Sequence, residues 1–184
     1  MRWCVVLTVL CANVVKLQNV VFRGGQCVTC PDSSSLPASR RRLSVSAHTM
    51  AANCIFCQIC GDNPGGTELL ASNEDLVVFR DIKPAAKHHY LVVSREHITD
   101  AKALTSAQKP LLQRMIATAE QVLRDQGADM SDTRLGFHWP PFHSISHLHL
   151  HAISPTSDMG LMARIVFKQN SWWFVSPEYV MSRL

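Results

Sequence analysis

Residues 144–153 read Ser-Ile-Ser-His-Leu-His-Leu-His-Ala-Ile, with an imidazole at every second position: His147, His149 and His151. In an extended strand successive side chains point to opposite faces. The three histidines would then share one face, while Leu148, Leu150 and Ala152 turn to the other. Same-face neighbours stand about 6.5–7 Å apart along a strand. Imidazole titrates near neutrality and serves as nucleophile, proton carrier or metal ligand, so such a row admits three readings. It can be an ordinary half-buried strand. Two of its rings can ligate zinc, although no carboxylate partner for a metal-bound water is obvious nearby. Or the central ring can attack an electrophilic phosphorus while a neighbour manages the proton of the leaving group. Three of only nine histidines in strict alternation favour the covalent reading.

The elements that must hold this row follow from the flanking sequence. Cys54 to Cys60 is a compact apolar segment that predicts a short helix, ended by Gly61 and the turn Asn63-Pro64-Gly65-Gly66. Glu68 to Ala71, Leu76 to Asp81 and His89 to Ser94 have the composition and alternation of strands. Leu111, Leu112, Met115, Ile116, Ala119, Val122 and Leu123 follow helical spacing, with Gly127 placed to stop the helix. Thr105 with Gln108 resembles a capping box, which would put Pro110 inside the helix and leaves its start open. Arg134 to His138 and His147 to Ser154 complete the strands, and Ser176-Pro177-Glu178 predicts a short terminal helix. The expectation is an α+β domain on a largely antiparallel sheet, with one long helix and a short N-terminal one.

The 184 residues are 47% hydrophobic and 17% charged, which excludes a disordered, collagen-like or coiled-coil chain. Basic excess is confined to residues 1–50, with six Lys or Arg against one Asp. Residues 51–184 carry twelve against thirteen acids, so broad nucleic-acid binding by the domain is not expected. All seven cysteines lie at or before Cys60, which does not read as a disulfide framework. The apolar run Trp3–Val15 is too short to span a bilayer; it suits a secretory signal in length but lacks a clean cleavage site. With Pro31–Ser35 and Arg40–Arg42 behind it, residues 1–50 are expected to be a leader outside the fold, and the domain to occupy residues 51–184. Translation starting at Met50 is a further expectation. The Gly61–Gly66 turn lacks the Gly-Lys-Ser/Thr ending of a phosphate loop.

From Asn53 onward the chain resembles the histidine triad superfamily of nucleotide hydrolases and transferases, and within it the adenosine 5′-monophosphoramidases. The resemblance rests on Cys54-Ile55-Phe56-Cys57-Gln58-Ile59, Phe79-Arg80-Asp81-Ile82-Lys83-Pro84, His89-Tyr90-Leu91-Val92-Val93 and the triad, in the family's order. It implies that His149 is a nucleophile that becomes adenylylated, that His147 and His151 contact the phosphate and orient it, and that His89 faces the site from a neighbouring strand. It implies ribose binding by Asp81, a purine slot of Ile82, Phe79, Phe56 and Ile59, and a hydrogen bond from Ser144 near the leaving group. The implied substrates are purine nucleoside monophosphate conjugates, without cofactor, metal, membrane or nucleic acid, by a homodimer or higher oligomer of the cytoplasm and nucleus. Small single-domain relatives carry Gly-Gln where Phe142-His143 stand, so the leaving-group pocket is expected to differ.

Residues 170–174, Asn-Ser-Trp-Trp-Phe, together with the triad segment also resemble aprataxin-type enzymes, which remove AMP from adenylylated DNA. Those add a basic zinc-finger element that is not seen after the triad, and this reading ranks second. A third is a nucleotide- or zinc-binding module without turnover. Cys54-x-x-Cys57 is half of a zinc site, which some relatives complete with the histidines at His89 and the first triad position; two buried small hydrophobes is the plainer reading. Trp172, Trp173 and Phe174 are expected to be core.

Overall fold

A computed structural model describes residues 53–61 and 64–184; the expectations for residues 1–50 and for Met50 lie outside them. Six strands form one antiparallel sheet: β1 (Leu69–Ser72), β2 (Leu76–Arg80), β3 (His88–Ser94), β4 (Arg134–His138), β5 (His149–Ser154) and β6 (Phe174–Val175), in the order β1-β2-β3-β5-β4-β6. The helices are α1 (Ile55–Cys60), α2 (Lys109–Asp125), α3 (Leu161–Val166) and α4 (Pro177–Arg183). Among the described residues no helix is long and apolar enough to cross a membrane.

The alternation of each strand assigns its two faces. Val78, Tyr90, Val92, Leu148, Leu150 and Ala152 pack with Leu112, Met115, Ala119 and Leu123 of α2 in the larger core. Leu112, Met115 and Leu123 are fully buried, so each contributes roughly 1.5–3 kcal/mol through removal of apolar surface from water. Leu112→Ala would forfeit that and leave a cavity, at about 2–5 kcal/mol. Phe56, Cys60, Val77, Phe79, Leu91 and Val93 pack on the opposite face, where α1 lies. The long helix thus backs the sheet, and the other side is left for chemistry.

Local signals explain the helix ends. Gln108 Oε1 accepts the Thr105 N–H at 2.9 Å, but this pair caps a single 3-10 turn, Ser106–Gln108, that runs into α2. Pro110 then falls in the first turn of α2, where no backbone N–H donor is required. Gly127 at φ 71° turns the chain out of the helix and lets the Ala128 N–H reach Leu123 O at 2.9 Å. Ser176 accepts the Tyr179 N–H at 3.3 Å and caps α4, as its sequence predicts.

Three features depart from expectation. β5 begins at His149 rather than His147; the preceding residues reach the sheet through Leu148 N–H to Ile98 O at 2.7 Å. Helix α3 carries no periodic signal, because none of its residues is buried, and Leu161, Met162, Ile165 and Val166 are exposed. The aromatic run divides: Phe174 is wholly buried and forms β6 on the outer edge of β4, whereas Trp172 is 69% exposed and is not core. Phe174 crosses the sheet so closely that a Cβ at Gly136 would collide with its ring.

Candidate active site and metal centre

Strand pairing brings the chemistry together. In β3 and β5, Leu91 faces His151, Val93 faces His149 and His89 faces Ile153, so His89 shares a sheet face with the triad. Asp81 follows the end of β2 and its N–H donates to His89 O at 3.0 Å. The ring centroids of His149 and His151 are 5.0 Å apart, those of His89 and His151 5.2 Å.

Hydrogen-bond directions define where each proton sits. The Ala85 N–H donates to His89 Nδ1 at 3.0 Å, which leaves that nitrogen bare and puts the hydrogen of neutral His89 on Nε2. His89 Nε2–H donates to His151 Nδ1 at 2.9 Å, with Asp81 Oδ2 at 3.6 Å from the same nitrogen. His151 therefore carries its hydrogen on Nε2, a buried donor with no partner among the described residues. His149 Nδ1–H donates to His147 O at 2.6 Å, so its Nε2 holds a bare lone pair. One ring presents an electron pair, and its neighbour a donor that an anionic oxygen would satisfy.

Burial keeps these rings neutral, since removing a ring from water disfavours its charged form. It pulls His89 down to about 4 against the attraction of Asp81, His147 to about 4, and His149 and His151 below the usual histidine value. Phe56 packs its ring against His149 at 5.2 Å, and Phe167 against His151 at 5.2 Å.

The expected purine slot is assembled in part. Phe56 and Phe79 meet edge to face at 5.6 Å, and Ile59 packs half-buried beside them. Ile82 is 94% exposed on the loop after β2, with no such packing. Asp81 already accepts the Lys83 N–H through Oδ1 at 2.8 Å, which orients its carboxylate. Ser144 is exposed on the loop between β4 and β5.

His147 departs from its expected role. Its Nε2–H donates to Ser94 O at 2.6 Å and its Nδ1 turns to sulfur: 3.3 Å from Cys54 Sγ, 3.5 Å from Cys57 Sγ and 3.2 Å from His97 Nδ1. The ring is thus committed away from a phosphate at His149, and only its carbonyl orients the nucleophile. The half-zinc motif is completed by His97 and His147; His89, the expected partner, belongs with Asp81 and His151. His97 Nδ1 also lies 3.2 Å from Cys57 Sγ, and the four donor atoms lie within 4.8 Å of one another. Tetrahedral zinc with its usual bond lengths separates two nitrogens by about 3.4 Å and nitrogen from sulfur by about 3.6 Å. The donor set and its spacing fit that ion. Cys60 lies outside this cluster: its thiol points to Ser94 O at 3.7 Å and burial pushes it up to about 11.

Sequence reasoning also missed His138, whose ring lies 4.9 Å from His151, 5.3 Å from Phe167 and 5.1 Å from Phe174. The available signal was its alternation with Gly136, which faces His151 across the sheet.

A family model described as "Scavenger mRNA decapping enzyme C-term binding" matches residues 53–167. The chain is 43% identical to the adenosine 5′-monophosphoramidase HINT3 of Xenopus tropicalis over 74% of this chain and 90% of that protein. It is 44% identical to its namesake of Mus musculus over 72% of this chain and 82% of that one. Aprataxin of Danio rerio is 38% identical but aligns over only 47% of this chain and 26% of its own length. A solved histidine triad family hydrolase of Clostridium thermocellum superimposes with a TM-score of 0.53 at 27% identity, covering 56% of this chain and 90% of that one. With the alternating imidazoles on one sheet face, these likenesses make the chain a member of the histidine triad family.

Proposed function

We propose that the protein is a nucleotide hydrolase, an adenosine 5′-monophosphoramidase that cleaves the P–N bond of AMP conjugates through an adenylylated His149. The observation that carries this reading is the pairing of a bare His149 Nε2 with a His151 Nε2–H that has no partner among the described residues. His149 Nε2 attacks phosphorus and the P–N pair leaves with nitrogen. His151 Nε2–H bonds a phosphoryl oxygen as its charge grows. The His147 carbonyl accepts the Nδ1–H of His149 and stabilises the positive ring formed on attack. Water then hydrolyses the His149–AMP bond. Activity of this kind in the relatives named for it supports the substrate class, and the near balance of charge over residues 51–184 favours small conjugates over nucleic-acid ends. Cys54, Cys57, His97 and His147 would hold a zinc ion, which ties α1 to the strands without taking part in hydrolysis; four protein ligands leave no open position.

The test is AMP release from adenosine 5′-phosphoramidate, with intact-protein mass read during turnover. One added AMP that disappears in His149→Ala is expected. Undiminished release by that variant would overturn the nucleophile, and no release by the native chain would overturn the activity.

A further inference from the structure

A proton is missing from the scheme above. An amine leaves phosphorus only if its nitrogen is protonated as the bond breaks, because an amide anion is far too basic to depart. The triad's own hydrogens are all engaged. His149 Nδ1–H is held by His147 O, His147 Nε2–H by Ser94 O and His89 Nε2–H by His151 Nδ1, while His151 Nε2–H is the donor for a phosphoryl oxygen. The acid for the leaving group must come from elsewhere around the cleft.

The cleft beside His149 is lined by Asp100, His138, His143, His147 and Ile145 among others. Two of these rings are not in the triad. His138 is packed among the rings of His151, Phe167 and Phe174, and burial pulls its basicity down, so it is poorly suited to carry a proton. His143 lies on the loop between β4 and β5, next to Ser144. Its Nε2 is 3.1 Å from Ser146 Oγ, and its Nδ1 is buried without a partner among the described residues. A hydroxyl oxygen can accept from Nε2–H, which leaves Nδ1 to gain and lose a proton.

Resting on the proposed function, we propose that His143 is the proton donor to the leaving group, through Nδ1. In the first half-reaction the His149 Nε2 pair bonds phosphorus, the P–N pair passes to nitrogen, and the His143 Nδ1 proton goes to that nitrogen, giving neutral His143 and a free amine. In the second, His143 Nδ1 takes a proton from water as its oxygen bonds phosphorus. The His149–phosphorus pair returns to Nε2, and both histidines are restored. Asp100, His138, His147 and His149 are the titratable groups that share the cleft with His143.

The test compares two AMP conjugates on the full chain: a primary alkylamine phosphoramidate, whose nitrogen needs a proton, and a 4-nitrophenyl ester, whose phenolate leaves unaided. His143→Gln should slow adenylylation of His149 by the alkylamine conjugate by roughly 10²-fold and leave the burst of 4-nitrophenolate from the ester unslowed. It should slow the later hydrolysis of His149–AMP alike for both conjugates, and keep the native melting temperature. Equal slowing of adenylylation with both conjugates, no slowing with either, or the same leaving-group split produced by His138→Gln instead would overturn the assignment. Failure of the native chain on both conjugates would overturn the hydrolase reading and this inference with it. Adenylylation of the native chain by both conjugates, without the split in His143→Gln, would overturn only the inference.

Discussion

Two histidine clusters sit side by side on one sheet face, and they differ in what they leave unfinished. In the cluster of Cys54, Cys57, His97 and His147, four donors converge on one another. In the cluster of Asp81, His89, His149 and His151, protons are passed in one direction until a lone pair and a donor are left over. His147 belongs to both: its ring joins the thiols and its carbonyl holds the nucleophile. Closure stabilises a fold, whereas an unsatisfied buried donor costs stability and becomes useful only against a bound anion. One motif of three alternating histidines has therefore been divided between architecture and chemistry.

The division can be broken most sharply at its reactive end. His149→Ala should reduce AMP release by about 10⁴-fold or more while leaving the metal content intact; a parallel loss of metal would merge the two clusters. His89→Ala frees His151 to adopt either tautomer, and kcat should drop by about 10²-fold with a smaller change in KM. An unchanged kcat would show that the relay from Ala85 does not matter. Cys57→Ser acts on the other cluster: zinc stoichiometry should fall from about one to near zero and the melting temperature should drop, with adenylylation of His149 still detectable by mass. Gly136→Ala should destabilise by about 1–3 kcal/mol in denaturant titration, because the new methyl group meets the Phe174 ring.

The smallest effect is electrostatic. His89 is held near 4 in the fold against an ordinary 6.5, so the unfolded chain binds the extra proton between those values. Its contribution to stability is complete above pH 6.5 and is lost as pH falls toward 4. Denaturant titrations at pH 7 and pH 5 should differ by on the order of 1–2 kcal/mol from this residue, and His89→Gln should flatten the difference.

Most of the strands and the long helix were legible, because their signals are local. Alternation over Leu76–Arg80 and the spacing of Leu112, Met115, Ala119 and Leu123 depend only on which face meets the core. Helix α3 and strand β6 were not legible. α3 buries nothing, and β6 is two residues long and exists because β4 offers an open edge. In the site, the shared face of His149, His151 and His89 was readable, as were Phe56 and Phe79 as neighbours.

What the sequence alone determined is the set of reactive groups and the face on which they stand, since a strand's two-residue period admits no other arrangement of His149 and His151. The tertiary structure decided how each ring turns and whom it meets. His97 joins thiols 40 and 43 residues earlier in the chain, His147 swings to sulfur, and Ala85 sets a tautomer two rings away. Spacing along a chain carries no information about rotation around a side-chain bond or about pairing across a sheet, and those two freedoms separate a metal ligand from a nucleophile.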